Sequence, residues 1–353
     1  MFWKNKKVLV TGHTGFKGSW LTLWLQQLGA DVSGFALPPP TNPNLFTLAN
    51  VASGMQSIMG DLRDFNQVKK AVTETQPEII IHMAAQPLVR YSYEAPIETY
   101  ATNVMGTVHL LEACKQTPSV RTIINVTTDK CYENKEWERG YTEDDRLGGH
   151  DPYSNSKACA ELVTSAFRHS YFYGDSPIAL ASVRAGNVIG GGDWAADRLI
   201  PDIIKACIEK KPVTLRNPDS TRPWQHVLEP LGGYLLLAEK LYSSPKHYAE
   251  GWNFGPDEKD AKPVRWITDF IFNLWQHPDT WQQDKNPKPH EAHYLKLDCG
   301  KAKEKLNWHP RWTIEKGLTE TVSWYKAWQA NKNMRDVTLD QIQRFTNYSG
   351  DLS

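Results

Sequence analysis

The chain has 353 residues, enough for a large core and about two domains. Its 40 basic and 40 acidic residues cancel, and no Lys/Arg block stands out, so composition offers no case for nucleic acid or an anionic membrane as partner. No apolar run approaches the roughly 18 residues of a membrane helix, and the N-terminus lacks a signal-peptide pattern, so cytoplasmic residence is expected. The five cysteines (114, 131, 159, 207 and 299) have neither disulfide nor zinc spacing, and no metal is expected.

The first element is a strand, Val8-Leu9-Val10, running into Thr11-Gly12-His13-Thr14-Gly15-Phe16-Lys17-Gly18. Trp20, Leu21, Leu23, Trp24, Leu25 and Leu28 follow at helical spacing. Only seven residues precede this strand, which is expected to open the fold. The turn suits a phosphate: Gly12 permits positive φ, Gly15 permits close approach, and the helix start offers N–H groups and partial positive charge. Gly18 would let helix and strand pack closely. The spacing is G-x-x-G-x-x-G rather than the commoner dinucleotide G-x-G-x-x-G.

A second strand, Asp31–Ala36, ends in the stiff Pro38-Pro39-Pro40-Thr41-Asn42-Pro43 loop. A nicotinamide–adenine site usually places a carboxylate here for the adenosine ribose. This chain has Phe35, Ala36 and Leu37, and no Lys or Arg for a 2′-phosphate. Ser57-Ile58-Met59-Gly60 ends a third strand before Asp61-Leu62-Arg63-Asp64. Asp61 is either a turn former or an acceptor for an adenine amino group, and Asp64 is a helix N-cap. Pro77–Met83 is a continuous apolar strand leading to Ala84-Ala85-Gln86, small residues against which a cofactor can lie. Tyr100, Val104, Val108, Leu111 and Cys114 repeat at helical spacing, and Val120–Thr127 is another buried strand. Strands alternating with helices predict an α/β fold with a Rossmann-type doubly wound parallel sheet, its ligands beyond the C-terminal strand ends.

The chemistry follows. Ile123–Val126 ends in Thr127-Thr128-Asp129-Lys130, and a polar loop leads to Tyr153-Ser154-Asn155-Ser156-Lys157 at the head of a helix. Tyr153 and Lys157, four apart, share a helix face. A lysine cation beside a phenol is expected to lower the tyrosine pKa and make a base for an alcohol proton.

Together these residues resemble the extended short-chain dehydrogenase/reductase family in its nucleotide-sugar branch. The matching residues are Thr11-Gly12-x-x-Gly15-x-x-Gly18, Asp61-Leu62, Ala84-Ala85, Asn103, Thr127-Thr128-Asp129, Tyr153-x-x-x-Lys157 and Arg184-x-x-Asn187-Val188. Arg222-Pro223-Trp224-x-x-Val227 and Trp252-Asn253-Phe254-Gly255 continue the match. Gly12–Trp20, Thr127–Tyr132 and Gly190–Trp194 are most similar to the 4,6-dehydratases that act on CDP-glucose. The resemblance implies bound NAD, held by Gly12, His13, Thr14, Gly15, Phe16, Gly18, Asp61, Leu62, Ala84, Ala85, Gln86, Asn103, Tyr153 and Lys157. It implies C4 oxidation with Tyr153 as base and Thr128 on the 4-oxygen, loss of water across C5 and C6, and hydride return to C6. Asp129 maps to the acid for the 6-hydroxyl. The C5 base is usually a Glu at the next position, where this chain has Lys130, which must lose its proton to act. A nucleotide-diphosphate sugar would meet Arg90, Thr128, Asn187, Arg198, Arg222 and Tyr294. A homodimer or tetramer and a place in deoxysugar supply for O-antigen are likewise implied.

Expected domains are 1–185 for the cofactor, with a segment near 225–255 returning to it, and 186–353 as a smaller α/β substrate-binding domain. His13 is expected to crowd the cofactor, which with the absent ribose carboxylate predicts weak NAD+ binding. His290-Glu291-x-His293 lacks the spacing of a metal site. A 4-epimerase of the same fold, or a non-catalytic dinucleotide sensor, are the other readings. Asp129-Lys130 argues against the first, and the intact Tyr153/Lys157 pair against the second.

Overall fold

The computed structural model describes residues 1–278, 281–284 and 295–348. Its centre is a parallel sheet of seven strands. Six are β1 (Lys7–Thr11), β2 (Asp31–Ala36), β3 (Gln56–Met59), β4 (Ile79–His82), β5 (Thr122–Val126) and β6 (Ala179–Arg184); the seventh is Gly251–Asn253. The order runs Gly251–Asn253, β6, β5, β4, β1, β2, β3, and every neighbouring pair is parallel. The fold is therefore doubly wound. The order reverses between β1 and β4, where Val10 stands opposite Gly34 on one side and Ile81 on the other.

The continuous apolar strands follow from burial on both faces. Side chains alternate, so Ile79 and Ile81 join one core while Ile80 joins the other. The first core gathers Val8, Val10 and Ile124 under Trp20 and Trp24 of the helix Phe16–Gln27 and under the helix Leu228–Ser243. The second packs Leu9, Ile80, Ile123 and Leu180 against the helices Phe65–Thr75 and Gly106–Lys115. Much of the tryptophan content is packing: Trp20, Trp252 and Trp324 are fully buried. The glycine turn at 190–192 serves the same end. A Cβ at Gly191 would overlap the Trp324 indole, and Trp20 Nε1 donates to Gly191 O at 2.9 Å.

Three buried histidines pack without charge. His13 has its ring beneath Gly34, with Nε2 2.7 Å from Ser57 Oγ. His82 Nδ1 lies 2.6 Å from Thr11 Oγ1, and His226 sits between the rings of Trp20 and Trp312. Burial holds His13 down to about 4, His82 to about 3, with Lys157 adding to the effect, and His226 to about 3. The unfolded chain takes up these protons near pH 6.5, the folded chain only near 3–4. Stability is thus fully present above about pH 6.5 and falls as pH drops from there towards 4, His13 alone accounting for about 3 kcal/mol. Urea denaturation should show this slope, and it should shrink in His226→Phe, which keeps the ring packing. A profile flat from pH 7 to 4.5 would contradict the assignment.

Candidate active site

The site lies beyond the C-terminal ends of β1, β4 and β5. Gly12 adopts φ +77°, and a Cβ there would come within 2.7 Å of Ala84 N. A Cβ on Gly18 would overlap Gly12 O, and Gly15 N donates to Gly12 O at 3.0 Å. Gly15 is the N-cap of the helix Phe16–Gln27, with no side-chain cap bond and no acidic residue in the first turn. The helix start therefore retains its affinity for an anion. Thr11 Oγ1 accepts from Met83 N and Ala84 N, stitching the ends of β1 and β4 together.

Residues around this turn are placed as follows. Thr14 Oγ1 donates to Leu37 O at 2.8 Å, and the Phe16 ring lies against Gly190. The His13 side chain is fully buried under Gly34 and meets Phe46 edge-on. The ring is directed against β2 and β3. Asp61 is clasped by Arg63 in a fork, Nε–Oδ2 2.9 Å and Nη2–Oδ2 2.6 Å, which holds its carboxyl below the usual range. Leu62 is buried under Gly106, and its carbonyl lies 2.8 Å from His109 Nδ1. Asn103 occupies a π-helical turn, Ala101–Met105. It accepts from Gln86 N and donates to Gln86 O and Ser156 Oγ. One amide thus clamps the segment after β4, including Ala84 and Ala85, to the helix carrying Tyr153.

That helix, Pro152–Ser170, begins because Asp151 caps Ser154 N and Pro152 occupies its first turn. Tyr153 is 8% exposed, and Thr128 acts on its phenol. Thr128 Oγ1 also donates to Asp129 Oδ1 at 3.0 Å and receives Lys130 N at 3.3 Å. Asp129 is buried, and its Oδ2 has no hydrogen-bond partner among the described residues. Gly186 leaves room for that carboxyl, which a Cβ there would overlap. Lys130 is half-buried in the short 3₁₀ turn Asp129–Cys131. Lys157 Nζ donates to Val126 O at 3.2 Å.

The phenol is raised, not lowered as the lysine spacing suggested. Burial pushes the Tyr153 phenol up to about 12; Thr128 opposes this, Asp129 adds to it and Arg198 opposes it. Burial also brings Lys157 down to about 8. Sequence reasoning passed over Lys17. Its ammonium donates to Tyr234 Oη at 3.2 Å and is lowered to about 7 by burial and by Lys157 and Arg198, with Asp129 opposing. The available signal was a lysine in the first helical turn, set against the helix dipole.

On the outer side, Asn187 has φ +47° and a buried Nδ2 without a partner among the described residues. Arg198 pairs with Asp193 at 3.0 Å, Arg90 with Asp197 at 3.0 Å, and Arg222 Nη1 donates to Thr221 O. Tyr294 and the His290-Glu291-x-His293 sequence lie outside the described residues. Among the described residues no cluster of three or more His, Cys, Asp or Glu could hold a metal ion.

A buried ion pair underlies the site. Glu161, one turn beyond Lys157, accepts from Arg184 Nε at 3.0 Å and Nη2 at 2.9 Å, from Thr127 Oγ1 at 2.5 Å and from Ser182 Oγ at 2.7 Å. Arg184 also donates to Tyr132 Oη at 2.7 Å. Arg184→Met would strand a buried carboxylate and should lower unfolding stability by about 3–5 kcal/mol, whereas Arg184→Met/Glu161→Leu should recover most of that. A single variant as stable as the parent in urea would contradict this reading.

The family described as GDP-mannose 4,6 dehydratase matches residues 9–321. A CDP-glucose 4,6-dehydratase of Salmonella typhimurium is 56% identical over 348 residues, 98% of this chain and 97% of that protein. Among solved structures, the Thermus thermophilus UDP-glucose 4-epimerase in complex with NAD superposes with TM-score 0.78 at 25% identity, covering 90% of this chain and 98% of that one. The Bacillus anthracis dTDP-glucose 4,6-dehydratase in complex with NAD shares the fold, with TM-score 0.76 at 24% identity over 94% and 99% of the two chains. No helix among the described residues is long and apolar enough to cross a membrane. The chain belongs to the GDP-mannose 4,6 dehydratase family, within the nucleotide-sugar branch of the extended short-chain dehydrogenases/reductases.

Proposed function

We propose that this protein is a 4,6-dehydratase that converts CDP-D-glucose to CDP-4-keto-6-deoxy-D-glucose and water. One observation carries the reading: Thr128, which acts on the Tyr153 phenol, donates to Asp129, and Asp129 keeps a buried oxygen without a partner among the described residues. Alcohol oxidation alone needs a base and a hydroxyl donor; the acid beside them suits removal of the 6-hydroxyl. The 56% identical Salmonella relative supports CDP-glucose over other nucleotide sugars.

NAD+ fits the glycine turn, where no Cβ intrudes at 12 or 18 and the first helical turn is uncapped. Gly12 to Gly18 would hold its pyrophosphate, Asp61 and Leu62 its adenine end, and Ala84 to Gln86 with Lys157 its nicotinamide end. When bound, NAD+ would supply the hydride acceptor for C4 of the hexose and, once reduced, the hydride donor for C6. Tyr153 takes the 4-hydroxyl proton while Thr128 hydrogen-bonds the same oxygen. The resulting ketone acidifies C5–H, Lys130 removes that proton, and Asp129 donates through Oδ2 to the departing 6-hydroxyl. Lys130 then returns a proton to C5. The Tyr153 phenol must lose its proton near neutral pH from a starting value of about 12, and the positive charges of Lys157 and the cofactor act in that direction. Asn187, Arg90, Arg198, Arg222 and Tyr294 are assigned to the nucleotide diphosphate.

Tyr91, Tyr93, Ile97, Met105 and Leu162 are exposed on helices that pack against one another, which supports a homodimer. Cytoplasmic residence and supply of deoxysugars for surface polysaccharide belong to the same reading, as does a cofactor domain of 1–185 with the segment near 225–255.

Incubation with NAD+ and CDP-, UDP- or dTDP-glucose should give loss of one water from CDP-glucose, read by mass. Inversion at C4 without water loss would instead mean an epimerase. Tyr153→Phe should slow turnover by about 10²–10⁴-fold. Lys130→Ala and Gly186→Ala should still oxidise C4 but lose water slowly. Normal turnover in any of the three would remove that residue's assigned part.

A further inference from the structure

Outside the reacting groups, two guanidinium groups converge on one carboxylate oxygen. Arg90 Nη1 lies 3.0 Å and Arg216 Nη2 2.8 Å from the same Asp197 Oδ1. The three residues come from separate elements. Arg90 is in the helix Val89–Glu94, Asp197 is in the turn before the helix Leu199–Glu209, and Arg216 follows the short strand Thr214–Leu215. All are partly exposed, at 41%, 43% and 24%, so the pairs add little stability. The arrangement also carries costs. Two like charges share one oxygen, and Asp197 holds φ +60°, a left-handed backbone that a non-glycine residue adopts only under constraint. Asp202 lies in the same field, its carboxyl raised by burial and Asp197 and lowered by Arg216, Lys205 and Arg90.

The cluster's place is informative. Arg198, the next residue after Asp197, acts electrostatically on Tyr153. A hexose with C4 at Tyr153 carries its diphosphate on C1, across the sugar ring, and so points it outward from that base. Paired guanidinium forks match diphosphate oxygens better than they match one carboxylate oxygen. Resting on the nucleotide-sugar reading above, we infer that Asp197 is an internal stand-in for the substrate diphosphate, holding Arg90 and Arg216 together until the nucleotide displaces it, and that Arg216 is a further diphosphate ligand. Displacement would free the 193–198 turn from the helix that carries Arg90.

Calorimetric titration of the full chain with CDP, UDP and inorganic pyrophosphate tests this. Asp197→Asn should bind CDP about three- to fivefold more tightly at low salt, the competition of an exposed ion pair having been removed. Arg216→Met should bind about tenfold or more weakly, with Arg216→Lys between the two because it keeps charge without the fork. In Asp197→Asn/Arg216→Met the gain should shrink. Unchanged or weaker binding by Asp197→Asn, or parental affinity in Arg216→Met, overturns the inference while leaving the enzyme reading in place. If the unmodified protein bound no nucleoside diphosphate, the functional reading would fail and this inference with it.

Discussion

The site depends on a carboxylate that never meets solvent. Glu161 accepts hydrogen bonds from the residue after β5, from two residues of β6, and sits on the helix that carries Tyr153 and Lys157. A buried charge is tolerable only when it is paired and fully hydrogen-bonded. Here that requirement fixes three elements relative to one another. Thr128 and Asp129 leave β5 at a set height beside Tyr153, and Arg184 carries the constraint on to Tyr132 and so to Asn253, which accepts from Tyr132 Oη at 2.7 Å. The arrangement contributes position more than stability.

A second constraint is steric and acts at the other side of the crevice. Gly12, Gly18 and Ala84 lie so close that any added Cβ at either glycine would strike backbone. Asn103 then ties the Ala84–Gln86 segment to Ser156 on the same helix that Glu161 anchors. The glycine turn, the β4 end and the Tyr153 helix therefore form one connected frame. Asp129 Oδ2 and Asn187 Nδ2 are among its buried polar atoms without a partner among the described residues. Buried polar groups without partners are rare, and within such a frame they suit groups that a ligand completes.

Much of the frame could be read from the sequence because its signals are local. Apolar runs such as Ile79-Ile80-Ile81 give strands buried on both faces, and the glycine spacing gives the tight turn between strand and helix. Asp151 and Pro152 mark the helix start that puts Tyr153 and Lys157 on one face. What could not be read depends on burial by distant residues. The direction of the His13 ring is set by Gly34 and Ser57, in the next two strands. The Tyr153 phenol rises because its surroundings are dry, whereas spacing alone suggested that the neighbouring lysine would lower it. Lys17 stands in the glycine-turn sequence with no local sign of its surroundings, yet it lies under the influence of Asp129, Lys157 and Arg198, which are far apart in sequence.

The central claim is that one site oxidises C4 and reduces C6 of the same sugar. Its most direct test uses CDP-glucose carrying deuterium at C4, mixed with unlabelled CDP-glucose, with products resolved by mass and NMR. The account predicts deuterium at C6 of the 4-keto-6-deoxy product, transferred within each molecule. Deuterium retained at C4, lost to solvent or scattered among unlabelled molecules would contradict it.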